Sequence, residues 1–320
     1  MRRLFSIVII TLAAAPLAAQ DPQCDVPLSQ PATRACNAAV DAVRAFHPLA
    51  GMIVSGGNPL IGTAGGLGGV GHLTVSGRVN VIKASLPNPD SASQSSVPSS
   101  FDGAVPAPIV EAGVGLYRGT SSGLLSVDAL GSAVLLPTGA VSDLAVDPDA
   151  PRIGSVALGI GYGARVGVLN GSFPIPSLSV SYMHRTLPRI QYGTLGPTLG
   201  TGDQFEFDMN LRADNYRVVA GWTFVLVDLA AGLGIDRYTG DAHIRFHDGA
   251  TATSVRNVTI NPRNTRQVLF LNAGLSLAVL KVVAELGYQT GKDQKLSTNF
   301  SDFDPKAGHV FGGIGARFGF

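Results

Sequence analysis

The sequence predicts an all-β chain whose antiparallel strands close into a transmembrane barrel, and three observations predict it. Apolar residues alternate with small or polar ones from about residue 72 to the end, the spacing at which neighbouring side chains of a strand point to opposite faces. After the first twenty residues no stretch supplies about 18 consecutive apolar residues, the length that a helical span needs. Only 14% of the 320 residues are charged and 40 are glycine. A soluble sandwich would bury its apolar faces and show charge outside, whereas a barrel in lipid turns its apolar face out and its polar face toward the lumen. The formal net charge of +1 provides no basic field and argues against a nucleic-acid partner.

The last stretch, 309–320, carries this pattern furthest. Val310, Gly312, Ile314, Ala316, Phe318 and Phe320 share one face, and Phe311, Gly313, Gly315, Arg317 and Gly319 share the other. It resembles the final strand of bacterial outer-membrane β-barrel proteins, which typically ends in an aromatic residue, usually Phe. The resemblance implies a porin-like barrel in the outer membrane of a Gram-negative bacterium. It also implies Phe318 and Phe320 as the insertion signal, with outer-membrane lipid and the barrel-insertion machinery as partners.

The start of the chain fits the same location. Arg2 and Arg3 precede the apolar run 4–12, and small residues follow to Gln20, so 1–20 reads as a signal peptide. The only two cysteines, Cys24 and Cys36, are expected to pair in an oxidising compartment, a link worth roughly 3 kcal/mol in the chain-entropy treatment. Zinc or redox chemistry is the rival reading, with no partner His or CxxC spacing to support it. From 31 to 46 the period becomes helical, with Ser29 placed to cap the helix, Pro31 in its first turn and Pro48 expected to stop it. Residues 21–66 are therefore read as a disulfide-bridged helical segment, on the periplasmic rim or as a plug in the lumen, and 67–320 as the barrel. Asn58-Pro59, within glycine-rich 51–71, resembles the Asn-Pro near the start of the N-terminal hatch of fatty-acid-transporter-type barrels. The same dipeptide also serves as an ordinary turn.

Eleven alternating segments follow, at 72–81, 109–118, 123–136, 155–168, 177–185, 204–212, 216–225, 229–238, 267–280, 282–289 and 309–320. A single-chain barrel has an even number of strands, so 190–195 is taken as a twelfth, with ten to fourteen as the range. Long loops are expected at 82–108, 137–154, 239–265 and 290–308, and short turns at the other end. Tyr117, Tyr162, Tyr182, Tyr216, Trp222, Phe224, Tyr288 and Phe318 lie near strand ends and suit interfacial girdles. In 204–212 the alternation sets Phe205, Phe207, Met209 and Leu211 on the lipid face, with Glu206, Asp208 and Arg212 in the lumen.

The expected lumen-facing ionisable residues are Arg78, Glu111, Asp128, Arg165, Arg185, Glu206, Asp208, Arg212, Arg217, Asp236, Glu285 and Arg317. In a narrow barrel they must pair and close the pore; in a wide one they line water and set selectivity. No catalytic constellation stands out. His243 and His247, with Asp241 nearby, lack a third ligand for a metal. His72-Leu-Thr74 is a poor match to the His-x-Ser of outer-membrane phospholipase. Asp302-Phe-Asp304 reads as a solvated loop. No enzyme, metal or cofactor is expected. The expected function is passive passage of small solutes, against a closed structural or adhesive barrel and, third, an outer-membrane hydrolase.

Overall fold

The computed structural model describes residues 21–25, 28–91, 96–137, 144–171, 174–249, 253–294, 296–301 and 304–320. The expected signal peptide, 1–20, and Asp302 lie outside the described residues.

Ten strands form the barrel: β1 (Leu73–Pro87), β2 (Ser99–Tyr117), β3 (Leu124–Pro137), β4 (Val156–Leu169), β5 (Ser177–Tyr192), β6 (Phe205–Phe224), β7 (Val227–Thr239), β8 (Arg263–Leu277), β9 (Leu280–Gln289) and β10 (His309–Gly319). Each pairs antiparallel with the next. β10 returns to β1 with Val75 opposite Phe318, and the two amides of Leu73 and Phe320 exchange hydrogen bonds at the seam. Closure leaves no open sheet edge, which is what allows a sheet to cross lipid. Among the described residues six short strands lie outside the ring: Leu144–Val146 beside β5, Arg152–Ile153 beside β4, the hairpin Ala242–His247 with Val255–Ile260, whose first arm extends from β6, and the separate parallel pair Ser96–Val97 and Asn299–Phe300.

The strand number corrects the expectation of twelve. β5 runs through 177–192 and takes in the first half of the expected 190–195 strand, the rest of which lies in the following loop. Its register shifts between Leu187 and Ile190, so Pro188, which has no N–H for the ladder, sits in an irregularity rather than ending the strand. β6 likewise joins 204–212 and 216–225 into twenty residues. The loop expected over 82–108 is mostly sheet, because β1 continues to Pro87 and β2 starts at Ser99.

A membrane crossing needs only 9–11 residues of strand, so these long strands project beyond the bilayer. The short connections and both barrel termini lie at one end, the periplasmic end of such barrels, and the long loops at the other, the extracellular end. Between them the outer surface is apolar: Leu271 is 61% exposed, Ile314 63% and Phe320 70%. Tyr162, Tyr182, Tyr216 and Tyr288 ring the loop side of this belt, while Tyr117, Trp222, Phe224 and Phe318 ring the turn side, all exposed outward.

Beyond the bilayer the pattern inverts. Phe205, Phe207, Met209, Leu211 and Ala213 are buried inside the barrel, whereas Asp208, Asn210 and Arg212 face outward. The expected lumen placement of Glu206, Asp208 and Arg212 is thus corrected. Outside the membrane the exterior is water, and these three are ion-paired on it with Arg245, Arg189 and Asp241. The interior at this height holds a helix, which takes the apolar face.

That helix, α1 (Gln30–Ser55), fills the loop-end half of the lumen. Ser29 Oγ accepts from the Ala32 amide at the cap, and Pro31 lies in the first turn. Pro48 does not stop it. The proline removes one intrahelical bond, but α1 is packed on almost every side, and tertiary packing rather than propensity sets helix length. Gly56, at φ 57°, ends it. Cys24 and Cys36 are disulfide-bonded and fully buried.

Candidate functional site in the barrel lumen

From Gly56 the chain leaves α1 and descends the lumen to β1 as a glycine-rich strap. Of the twelve residues expected in the lumen, nine are there: Arg78, Glu111, Asp128, Arg165, Arg185, Arg217, Asp236 and Glu285 are buried, and Arg317 is partly so. They pair. Arg78 bridges Glu111 at 2.8 Å and Glu285 at 3.1 Å, and Arg185 stands 3.6 Å from Glu111. Arg217 meets Asp236 at 2.6 Å, and Arg165 meets Asp128 at 2.9 Å. Four guanidinium groups thus face four carboxylates, leaving this layer neutral. Removing one member would leave a buried charge uncompensated, which costs several kcal/mol.

The same groups grip the strap. Glu285 accepts the amides of Gly57 at 3.0 Å and Asn58 at 2.8 Å. Arg217 donates to the carbonyls of Gly56 at 3.0 Å and Gly57 at 2.8 Å. Lower down, Asp128 accepts from the Leu67 amide at 3.2 Å, Asn170 from Gly66 at 2.6 Å, and Arg317 donates to the Gly62 carbonyl at 2.9 Å. A side chain at Gly57 would collide with the Phe270 ring, its Cβ only 2.6 Å away, so this close approach requires glycine.

Two asparagines complete the clamp and were not expected as site residues. The Asn58 amide donates to Thr63 O and Asn272 Oδ1, both at 2.9 Å, and Asn272 donates to Glu285 at 2.8 Å. The Asn58-Pro59 dipeptide was the available signal for the first. For Asn272 only its inward parity on β8 was legible.

A polar vestibule lies at each end of the lumen. The loop-end one, about 390 Å³, is lined by Arg44 and His47 of α1 and by Asn261, Arg263, Asn264 and Lys292, among others. The turn-end one, about 270 Å³, includes Gly62 to Gly66 of the strap, Asn272, Lys281 and Arg317. Across α1 from the first, the interior is apolar and packed: Phe46, Ala50 and Ile53 face Leu86, Leu136 and Ile190 around a residual space of about 80 Å³.

Other sequence candidates do not assemble into chemistry. His243 is exposed and 3.8 Å from Asp208, whereas His247 is buried and bonded to the Gly196 carbonyl. Among the described residues no group of three or more His, Cys, Asp or Glu is placed to hold a metal. Thr74 Oγ1 is spent on the Phe318 carbonyl at 2.9 Å.

A closed antiparallel ring with a lipid-facing apolar belt, two aromatic girdles and a polar interior is an outer-membrane β-barrel. No protein-family model matches the chain, and no curated protein matches it. Among solved structures it is similar to the outer membrane protease OmpT from Escherichia coli, at 11% identity over 78% of this chain and 97% of that one, with a TM-score of 0.39. It is also similar to the Pseudomonas putida toluene transporter TodX, at 14% identity over 78% and 89%, TM-score 0.34. A third is the translocator domain of autotransporter NalP from Neisseria meningitidis, at 10% over 78% and 88%, TM-score 0.39. Their roles differ, and the likeness assigns no activity.

Proposed function

We propose that the protein is a channel for passive passage of small polar solutes across the outer membrane, without turnover, closed at rest by its own N-terminal segment. The observation that supports this reading is the pair of polar vestibules at the two ends of one lumen, with the strap and its charge layer between them. A barrel built only as a scaffold has no need for a polar-lined approach from both sides. The clamp on the strap combines hydrogen bonds between its backbone and charged wall side chains with a small apolar cluster at Leu60 and Leu67, and the polar contacts can exchange with water when the strap shifts. The final strand, with Phe318 and Phe320 on its outer face, serves as the proposed recognition element for the insertion machinery.

Single-channel recording of the refolded mature protein in a planar bilayer tests the reading. A mostly closed protein with resolved openings, and a higher open fraction once the Cys24–Cys36 disulfide is reduced, is the expected result. Silence in both states, from protein shown to be folded, would reject passage in favour of a closed structural or adhesive barrel.

A further inference from the structure

The charges of the lumen do not balance everywhere. In the clamp layer four arginines meet four carboxylates, and at the turn end Asp228 is taken by Lys281. The surplus among the described residues is cationic. Arg266, inward on β8 and only 3% exposed, forms no ion pair; it donates to the Thr290 carbonyl at 3.0 Å and its Nε has no partner. Arg263 and Lys292, at the rim above it, form none either among the described residues. Arg317, at the opposite end, is bonded to a carbonyl and not to an acid.

Two of these cations meet at the loop-end vestibule. Arg263 and Lys292 line its rim, and two polar side chains in its wall are buried without satisfied hydrogen bonding. His47 is 1% exposed, and neither ring nitrogen makes a hydrogen bond of full geometry. Asn264 is 9% exposed, with its Oδ1 unpaired; rotating the amide end for end presents its NH₂ to the same space. Buried polar groups normally find a partner, so this wall is built for something that hydrogen-bonds. The one acid in the lining, Asp293, is engaged by Lys306 at 3.1 Å. Arg44 is held between Asp21 and Asp41 and adds a donor surface with little net charge.

We infer that the loop-end vestibule is a binding site for a small oxyanion, a phosphate or carboxylate group carried on a polar body. Arg263 and Lys292 supply charge at the rim, Arg266 a positive field from below, and His47 and Asn264 directional hydrogen bonds in the wall. The volume, about 390 Å³, falls within the range of small-ligand sites, so a sugar-sized molecule with one anionic group fits better than a bare ion. Cations that line a lumen raise the local concentration of anions and select them over cations. As a statement about the transported solute this rests on the passage reading; as a statement about binding it does not.

Isothermal titration of the refolded, full mature protein in detergent tests the site, with inorganic phosphate, citrate and glucose as probes. Phosphate or citrate should bind saturably, more weakly as salt rises, and glucose should not. Which of the two binds tells phosphate from carboxylate recognition. The double variant Arg263→Gln/Lys292→Gln changes two exposed rim residues; it should fold as the wild type and bind at least tenfold more weakly. Absence of saturable binding by both anions, equal binding of glucose, or an unchanged double variant would overturn the site. Binding without conductance would keep the site and reject passage, and conductance without binding would do the reverse.

Discussion

The carboxylate of Glu285, on β9, accepts the backbone amide of Asn58 at 2.8 Å, although 227 positions separate them in the chain. A wall residue and a strap residue thus share one bond, and with the Gly57 amide at 3.0 Å and Arg78 at 3.1 Å this carboxylate joins plug to barrel.

Replacing Glu285 by Gln keeps the shape but removes the charge that strengthens these bonds. Hydrogen bonds to a charged group contribute about 1.5–3 kcal/mol, and Arg78 would retain only Glu111. The expected outcome is a roughly tenfold or greater rise in the fraction of strap released, read as faster hydrogen exchange of the Gly57 and Asn58 amides and more frequent channel openings. Unchanged exchange at these two amides would show that the carboxylate does not hold the strap.

The two faces of β8 differ by one position. Ala273 is on the lipid face and Gly274 on the lumen face, where an added Cβ would make only ordinary contacts with Val283 and Lys281. Ala273→Asp should lower barrel stability by about 2 kcal/mol, on the scale of charges in the lipid belt, whereas Gly274→Asp, which must share Lys281 with the Asp228 directly opposite it, should still cost less. The folded fraction across a urea titration measures both. Asn272 would be a poor control, because its amide is already bonded to Asn58 and Glu285.

How far the sequence reaches can be judged residue by residue. Arg78, Glu111 and Glu285 were legible as lumen residues because their neighbours Val79, Val110 and Leu286 are apolar and the membrane belt obeys one rule, apolar outward. Glu206, Asp208 and Arg212 were misplaced because the same alternation means the opposite once a strand leaves the bilayer, and nothing local marks where it leaves. The division of β5 and β6 into two strands each came from the same source. Segment ends at Arg185 and Arg212 follow only if every strand is one membrane thickness long. The grip of Glu285 on Asn58 has no local signature, since it joins a strap and a strand remote in the chain.

The disulfide closes a loop within the plug, not within the barrel. Cys24 lies ahead of α1 and Cys36 in its second turn, 12 residues on. By the chain-entropy treatment a loop of this size is worth roughly 3 kcal/mol, and here that stabilisation is confined to the helix start at the loop end. The double variant Cys24→Ala/Cys36→Ala should therefore loosen residues 21–36, raising their hydrogen exchange by two orders of magnitude or so, while the urea midpoint of the barrel barely moves. A matching fall in barrel stability would show that plug and wall unfold as one unit.

Acid should release the plug helix, and the sign follows from His47. Its imidazole lies within α1, 6.4 Å from the Tyr238 ring, with Arg44 on its own helix and Arg263, Lys292 and Asp293 around the adjoining vestibule. Burial lowers its pKa from 6.5 to about 4, the Thr239 backbone acting weakly the other way. The docked helix therefore keeps the ring neutral, while the released helix takes up a proton near pH 6.5. Docking is unaffected above that value and weakens as pH falls from 6.5 toward 4, by about 3 kcal/mol over the window. Hydrogen exchange of the α1 amides, followed at constant intrinsic rate, should show opening that grows by one decade per pH unit through this range. His47→Gln, which cannot take up the proton, should flatten that slope; an equally steep slope in the variant would place the acid response on another group.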